Sequence, residues 1–284
     1  MPDPNDSAPA MPSGVDTEKP SAARMYDWYL GGTQNWAVDR EFGKKVVQLW
    51  PHVREVAKQN RRFLRRAVTA ALDAGIRQFV DLGSGVPTVG NVHEIVREHL
   101  PAGERATVVY VDYEPVAVAH ATLILEQDEA TDWATIVQED LRAPKKIFDH
   151  AETKRLIDLD QPVCLLLIAV LHFVGGDDRP EELLERYRRR VAPGSWLALT
   201  HIACEEADEE DQAAVRRFAD AYRDTSNPLW VRERDELAPW FGDWSLVEPG
   251  ITHLPDWRPD YELTVAESTA RPFAWCGVAR KPGD

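Results

Sequence analysis

Residues 79–90 read Phe79-Val-Asp-Leu-Gly-Ser-Gly-Val-Pro-Thr-Val-Gly90. A short apolar run enters a turn built on Gly83 and Gly85, and a helical pattern resumes near Val89. Glycine serves where a chain turns sharply or where backbone must approach a ligand closely. A strand, turn and helix of this kind can hold the phosphates of a dinucleotide or the amino-acid end of S-adenosylmethionine.

The neighbouring residues bear on that choice. A dinucleotide fingerprint asks for a third glycine three residues after the second. Thr88 stands there, preceded by Pro87. Asp81 lies just before the first glycine, outside that fingerprint, and a carboxylate suits an ammonium group better than a pyrophosphate. A second acid, Asp112, ends the strand Thr107–Val111, where it can accept both ribose hydroxyls of an adenosine or cap the helix that follows. The ribose role is common to both ligands. A third acid, Asp140, ends the strand Ala134–Gln138, placed to accept a hydrogen bond from an adenine amino group or to cap a turn. Three acids at the ends of three successive strands, in register with a Gly-x-Gly turn, form a far more specific constellation than any one of them.

Working outward, strand patterns at Gln78–Leu82, Thr107–Val111, Ala134–Gln138, Pro162–Val170 and Trp196–Ile202 alternate with helical ones. The helices are expected near Val89–Leu100, Val116–Gln127, Ile147–Ile157 and Pro180–Val191. Near-continuous apolar runs such as Val163–Val170 belong to strands covered on both faces. The alternation predicts an α/β fold with a doubly wound, mainly parallel sheet. Two late strands, near Ser245–Glu248 and Phe273–Ala279, bring the expected count to seven. Helices are also expected at Asp211–Tyr222 and around Arg232–Phe241, and Gly250–Asp260 reads as a long Pro-rich loop. Upstream, Asn35 is a plausible N-cap for a helix that Pro51 ends, and a second helix carries Val53, Val56, Ala57, Phe63 and Leu64 at helical spacing. Its arginines 61, 62, 65 and 66 read as a solvated surface. Residues 1–20 read as a disordered tail, 21–75 as an N-terminal helical cap and 76–284 as the ligand-binding domain.

A formal charge of −15 on 284 residues disfavours a protein that gains affinity by neutralising phosphates, so no nucleic-acid partner is expected. The 44% hydrophobic content suits a globular core. No apolar run reaches the ~20 residues that a membrane span needs, and no secretory signal is visible. Three scattered cysteines, Cys164, Cys204 and Cys276, suit reduced, buried thiols in a cytoplasmic protein. The histidines lack metal-ligand spacing, and no metal is expected. The acidic run 205–211 precedes a helix, where acids favour the helix dipole.

The three-acid constellation resembles the class I methyltransferases that use S-adenosylmethionine, with their Rossmann-like sheet. Three further stretches narrow the match: Arg24-Met-Tyr-Asp-Trp-Tyr-Leu-Gly-Gly-Thr-Gln-Asn-Trp36, Asp81–Thr88 with Asn91-Val-His93, and Leu171-His172-Phe173. Together they resemble an actinobacterial family labelled S-adenosyl methyltransferase, formerly a domain of unknown function. That family often has Phe at the place of Trp36 and an aliphatic residue at that of Tyr29. The resemblance implies S-adenosylmethionine as cofactor, S-adenosylhomocysteine as product, and methyl transfer to an O or N atom of a small-molecule acceptor. It implies a donor site of Tyr26, Gly32, Asp81, Gly83, Ser84, Gly85, Thr88, Asn91, Asp112, Tyr113, Asp140, Leu141 and Ala169. Arg24 is expected to reach the methionine carboxylate from a lid built on residues 24–36. His172 is the catalytic candidate: either a general base titrating near neutrality, or a histidine that bonds backbone and shapes the pocket. Two other readings compete: an NAD-dependent oxidoreductase, and a non-catalytic S-adenosylmethionine-binding regulator. Oligomeric state is not legible.

Overall fold

The computed structural model describes residues 18–87, 90–225 and 227–283. The tail expected over 1–20 lies almost wholly outside them. Eight strands make one sheet: β1 (Gln78–Leu82), β2 (Thr107–Asp112), β3 (Ala134–Gln138), β4 (Cys164–Leu167), β5 (Trp196–Ile202), β6 (Ser245–Leu246), β7 (Thr252–His253) and β8 (Ala274–Arg280). The order is β3-β2-β1-β4-β5-β8-β6, with β7 pairing on β8. β1 to β5 are mutually parallel, while β6, β7 and β5 all run antiparallel to β8. The seven-strand path is thus joined by an eighth strand of two residues, inside the stretch expected to be a loop.

Because side chains alternate across a strand, the buried runs split into two cores. Val80, Leu82, Val109, Val111, Leu165, Leu167, Leu197 and Leu199 pack with Phe148, Leu184 and Tyr187. Phe79, Val108, Tyr110, Cys164, Leu166 and Ala198 pack with Phe63, Leu64 and Ala67 and with Val92 and Ile95.

Three helices precede the sheet: α1 (Ala22–Tyr29), α2 (Ala37–Leu49) and α3 (Val53–Asp73). α3 ties this layer to the sheet. Its first turns join Met25, Tyr29, Trp50, Phe218 and Phe273 in a third core, while Phe63 onward belongs to the sheet core. The crossovers carry α4 (Val92–His99), α5 (Pro115–Gln127), α6 (Pro144–Asp149), α7 (Ala151–Leu156) and α8 (Pro180–Arg188). α9 (Glu209–Ala221), α10 (Arg234–Leu237) and α11 (Val265–Ala270) follow β5. Among the described residues no helix is long and apolar enough to cross a membrane.

The strand order reverses between β1 and β4, the crevice where open α/β sheets bind ligands. A cavity of about 460 Å³ opens there, roofed by α1 and the start of α3. That volume lies within the ordinary range of ligand pockets.

Candidate active site

One wall of the cavity is the turn after β1. Gly83 and Gly85 have φ of +72° and +67°, a region closed to most side chains. The Gly83 and Ser84 amides donate to the Val111 carbonyl at 2.8 and 3.1 Å, which fastens the turn to β2. A Cβ on Gly83 would lie 2.3 Å from Val170 Cγ2, whereas one on Gly85 would meet nothing within 4 Å. The first glycine lets β4 approach, and the second leaves backbone open to the cavity.

Asp112, at the tip of β2, accepts from Gly85 N at 2.7 Å and from Glu114 N at 2.9 Å. Burial nevertheless pushes its carboxyl up to about 6. Asp81 is 5% exposed and has no hydrogen bond among the described residues. Burial pushes it up to about 7; the Arg61 charge opposes this and the Asp112 charge adds to it. An unpaired, buried carboxylate at a cavity wall is a site prepared for a cation. Ser84 Oγ, also on the wall, is shielded and without a partner.

At the end of β3 the carboxylate of Asp140 is held by the Arg142 backbone at 2.8 Å and by its guanidinium Nε at 2.9 Å. Burial raises this carboxyl, but those hydrogen bonds and the Arg142 charge leave it below the usual carboxylate range. Arg142 also reaches Asp178 at 2.9 Å.

The fourth wall follows β4, which stops at Leu167 because Ala169 turns to φ +55°. The Ala169 amide donates to Thr200 Oγ1 at 2.7 Å, which holds the turn against β5. His172 comes next, on a single 3-10 turn, Leu171–Phe173. Its Nδ1 is shielded and partnerless. Burial, aided by the Arg232 charge, pushes its imidazolium down to about 3, so the ring is neutral at working pH. Behind it, His201 Nε2 lies 3.0 Å from an Arg232 N–H and must accept, so its Nδ1 donates to the Ile202 carbonyl at 2.8 Å.

A comparison with known families places this architecture. Residues 8–282 match the family model described as S-adenosyl methyltransferase. The chain belongs to that family. A crystal structure from Thermobifida fusca, named as a candidate methyltransferase, is 34% identical over 96% of this chain and 98% of its own, with a TM-score of 0.85. A DUF574-family protein from Streptomyces avermitilis is 33% identical over 94% of this chain and 99% of its own, with a TM-score of 0.84. An O-methyltransferase family protein from Burkholderia thailandensis shares the fold alone, at 14% identity and a TM-score of 0.53, over 94% of this chain and 65% of its own. The protein is therefore a methyltransferase, and its cofactor is S-adenosylmethionine.

The residues present fit that group: unpaired Asp81 for an ammonium, Asp112 for paired hydroxyls, side-chain-free space at Gly85 and an orphaned Ser84 hydroxyl. Of the residues expected to form the site, Tyr26, Asp81, Gly83, Ser84, Gly85, Asp112, Tyr113, Asp140, Leu141, Ala169 and His172 all line the cavity. Thr88 lies outside the described residues. Three others stand elsewhere. Arg24, 1% exposed, pairs with Asp39 at 2.8 Å and Glu114 at 2.9 Å rather than facing the cavity. Gly32 packs under Asp27, whose Oδ1 would meet a Cβ there at 1.9 Å. Asn91 starts α4, its amide donating to Glu94 Oε2 at 3.0 Å.

The arginine row on α3 needs correction. Arg61 lines the cavity, and Arg66 is 7% exposed, donating to the Trp257 carbonyl at 2.8 Å. Helical spacing carried the signal: positions 57, 60, 61 and 64 share one face, and all four line the cavity. Trp230 and Thr200 also line it without having been singled out, and Tyr29, noted only as a departure from the family pattern, lines it too.

Proposed function

We propose that this methyltransferase transfers a methyl group to an oxygen or nitrogen atom of a small acceptor. The observation that carries the reading is one cavity with two unlike halves. One half is acidic and glycine-lined, from Asp81 to Asp140. The other, under α1 and α3, is walled by Tyr29, Trp50, Val53, Phe173, Phe218, Tyr222 and Trp230. The two meet at His172.

When bound, S-adenosylmethionine would supply an electrophilic methyl group on a cationic sulfur. Asp81 would hold the ammonium, Asp112 the ribose hydroxyls and Asp140 the adenine side. Arg61, on the cavity side of α3 and braced by the Gly90 carbonyl at 2.7 Å, is the cation placed for the carboxylate, since Arg24 is turned to Asp39 and Glu114. His172, neutral and with its Nδ1 shielded by the fold, accepts at Nε2 a hydrogen bond from the acceptor's O–H or N–H and so aims its lone pair. Its low basicity leaves the proton to depart to water after transfer. Alignment of this kind supplies roughly 7–11 kcal/mol of a barrier.

The test is incubation with methyl-labelled S-adenosylmethionine and a panel of neutral phenols and aromatic amines. Label should enter a heteroatom of at least one acceptor and be lost with Asp112→Ala. Label found only on carbon, or transfer that survives Asp112→Ala, would contradict the reading.

A further inference from the structure

The acceptor half of the cavity says more about its occupant. Among the described residues lining the cavity, both arginines belong to the cofactor half: Arg61 beside Asp81, and Arg142 on Asp140. An anionic acceptor would find no counter-charge against the aromatic wall, and an unpaired buried anion is strongly disfavoured.

Two polar stations interrupt that wall. The first is His172, whose Nδ1 is shielded and whose Nε2, not shielded and without a hydrogen bond, is the ring nitrogen open to the cavity. The second is the Tyr29 and Tyr222 hydroxyl pair, 3.0 Å apart and buried. Two hydroxyls bonded to each other use one proton between them, so one O–H is left to donate. Burial raises both phenols, so neither ionises near neutrality. Phe173 stands between the stations, its ring 4.4 Å from that of His172 and 6.0 Å from that of Tyr222. One fused aromatic ring system lying along Phe173 would touch both.

We propose that the acceptor is a neutral, planar aromatic molecule that donates its nucleophilic O–H or N–H to His172 and offers a carbonyl-type oxygen to the spare proton of the Tyr29–Tyr222 pair. This rests on the methyltransferase reading above and adds the acceptor's chemical class, with Tyr29 and Tyr222 as specificity-determining residues.

The probes are three bicycles titrated calorimetrically into protein saturated with S-adenosylhomocysteine, at mildly acidic pH. 7-Hydroxycoumarin carries both O–H and carbonyl, 2-naphthol lacks the carbonyl, and 7-hydroxycoumarin-3-carboxylate adds a negative charge. 7-Hydroxycoumarin should bind roughly tenfold tighter than either of the others, in line with the worth of one hydrogen bond. In Tyr29→Phe/Tyr222→Phe its advantage over 2-naphthol should vanish, with affinity for S-adenosylhomocysteine unchanged. Equal binding of the two neutral probes, equal binding of the anion, a preference kept in the double variant, or no binding of any probe would each overturn the proposal. If the double variant fails to fold, the carbonyl stretch of 7-hydroxycoumarin on the wild-type protein decides: lowered by a hydrogen bond it supports the proposal, unshifted it overturns it. Failure of S-adenosylhomocysteine itself to bind would instead strike the underlying reading.

Discussion

Asp81→Asn should make the ligand-free protein more stable and the ligand-bound one weaker. The Asp81 carboxyl is 5% exposed and titrates at about 7, against an ordinary value of 3.8. Between those two values the folded chain keeps a proton that the unfolded chain has released. Stability without ligand therefore falls as pH rises through that window. Above it, the ionised carboxylate costs the fold about 4 kcal/mol at most. Asparagine removes the charge but buries an amide without a partner, which takes back roughly 1–3 kcal/mol. The net gain at pH 8 is then about 2 kcal/mol, or a Tm rise of roughly 4–8 °C. At pH 5, where the carboxyl is mostly protonated, the two proteins should melt together. Affinity for S-adenosylhomocysteine should fall by roughly 10–150-fold, the worth of a hydrogen bond to a charged group. Scanning calorimetry at both pH values and titration with the ligand give all three numbers. A variant that melts at or below wild type at pH 8, or one that binds with full affinity, would refute the assignment of Asp81 as a waiting cation site.

Gly83→Ala places a Cβ against Val170 at φ +72°, and should cost roughly 1–3 kcal/mol, read as a lower urea midpoint. Arg24→Met leaves Asp39 and Glu114 without their shared cation and should cost about 3–5 kcal/mol in the same assay. The His172 ring should stay neutral from pH 8 down to about 4, visible in ring-nitrogen chemical shifts; a titration near 6.5 would restore the general-base role.

Much of the fold was legible because a buried parallel sheet leaves an unmistakable pattern. The five parallel strands emerge where the apolar runs lie, and Asp81, Asp112 and Asp140 stand at their tips as expected. Boundaries were less legible where side chains from elsewhere decide. β4 is shorter than its apolar run because Ala169 turns to meet Thr200 on β5. The helix expected over 147–157 breaks at His150, whose extended backbone ends α6 and whose ring accepts from Glu152 N at 3.2 Å to start α7. A strand of two residues such as β7 carries no period to read. The arginines show the same limit. Arg24 needed knowledge that Asp39 and Glu114, 15 and 90 residues away, would both turn toward it. Arg61 and Arg66 looked solvated because a stripe of arginines gives no sign of which members a roof or a loop will cover.

The central claim is that the turn after β1, with Asp81 and Asp112, holds S-adenosylmethionine. Its most direct test is a thermal melt with S-adenosylmethionine, S-adenosylhomocysteine and NAD, each supplied to the wild type and to Asp112→Ala. At a hundred times its dissociation constant a ligand stabilises by ~2.7 kcal/mol, a rise of roughly 5–10 °C. The two sulfur ligands should produce that rise in the wild type and lose it in Asp112→Ala, with NAD without effect. A rise with NAD alone, or a rise with S-adenosylhomocysteine that Asp112→Ala leaves intact, would contradict the claim.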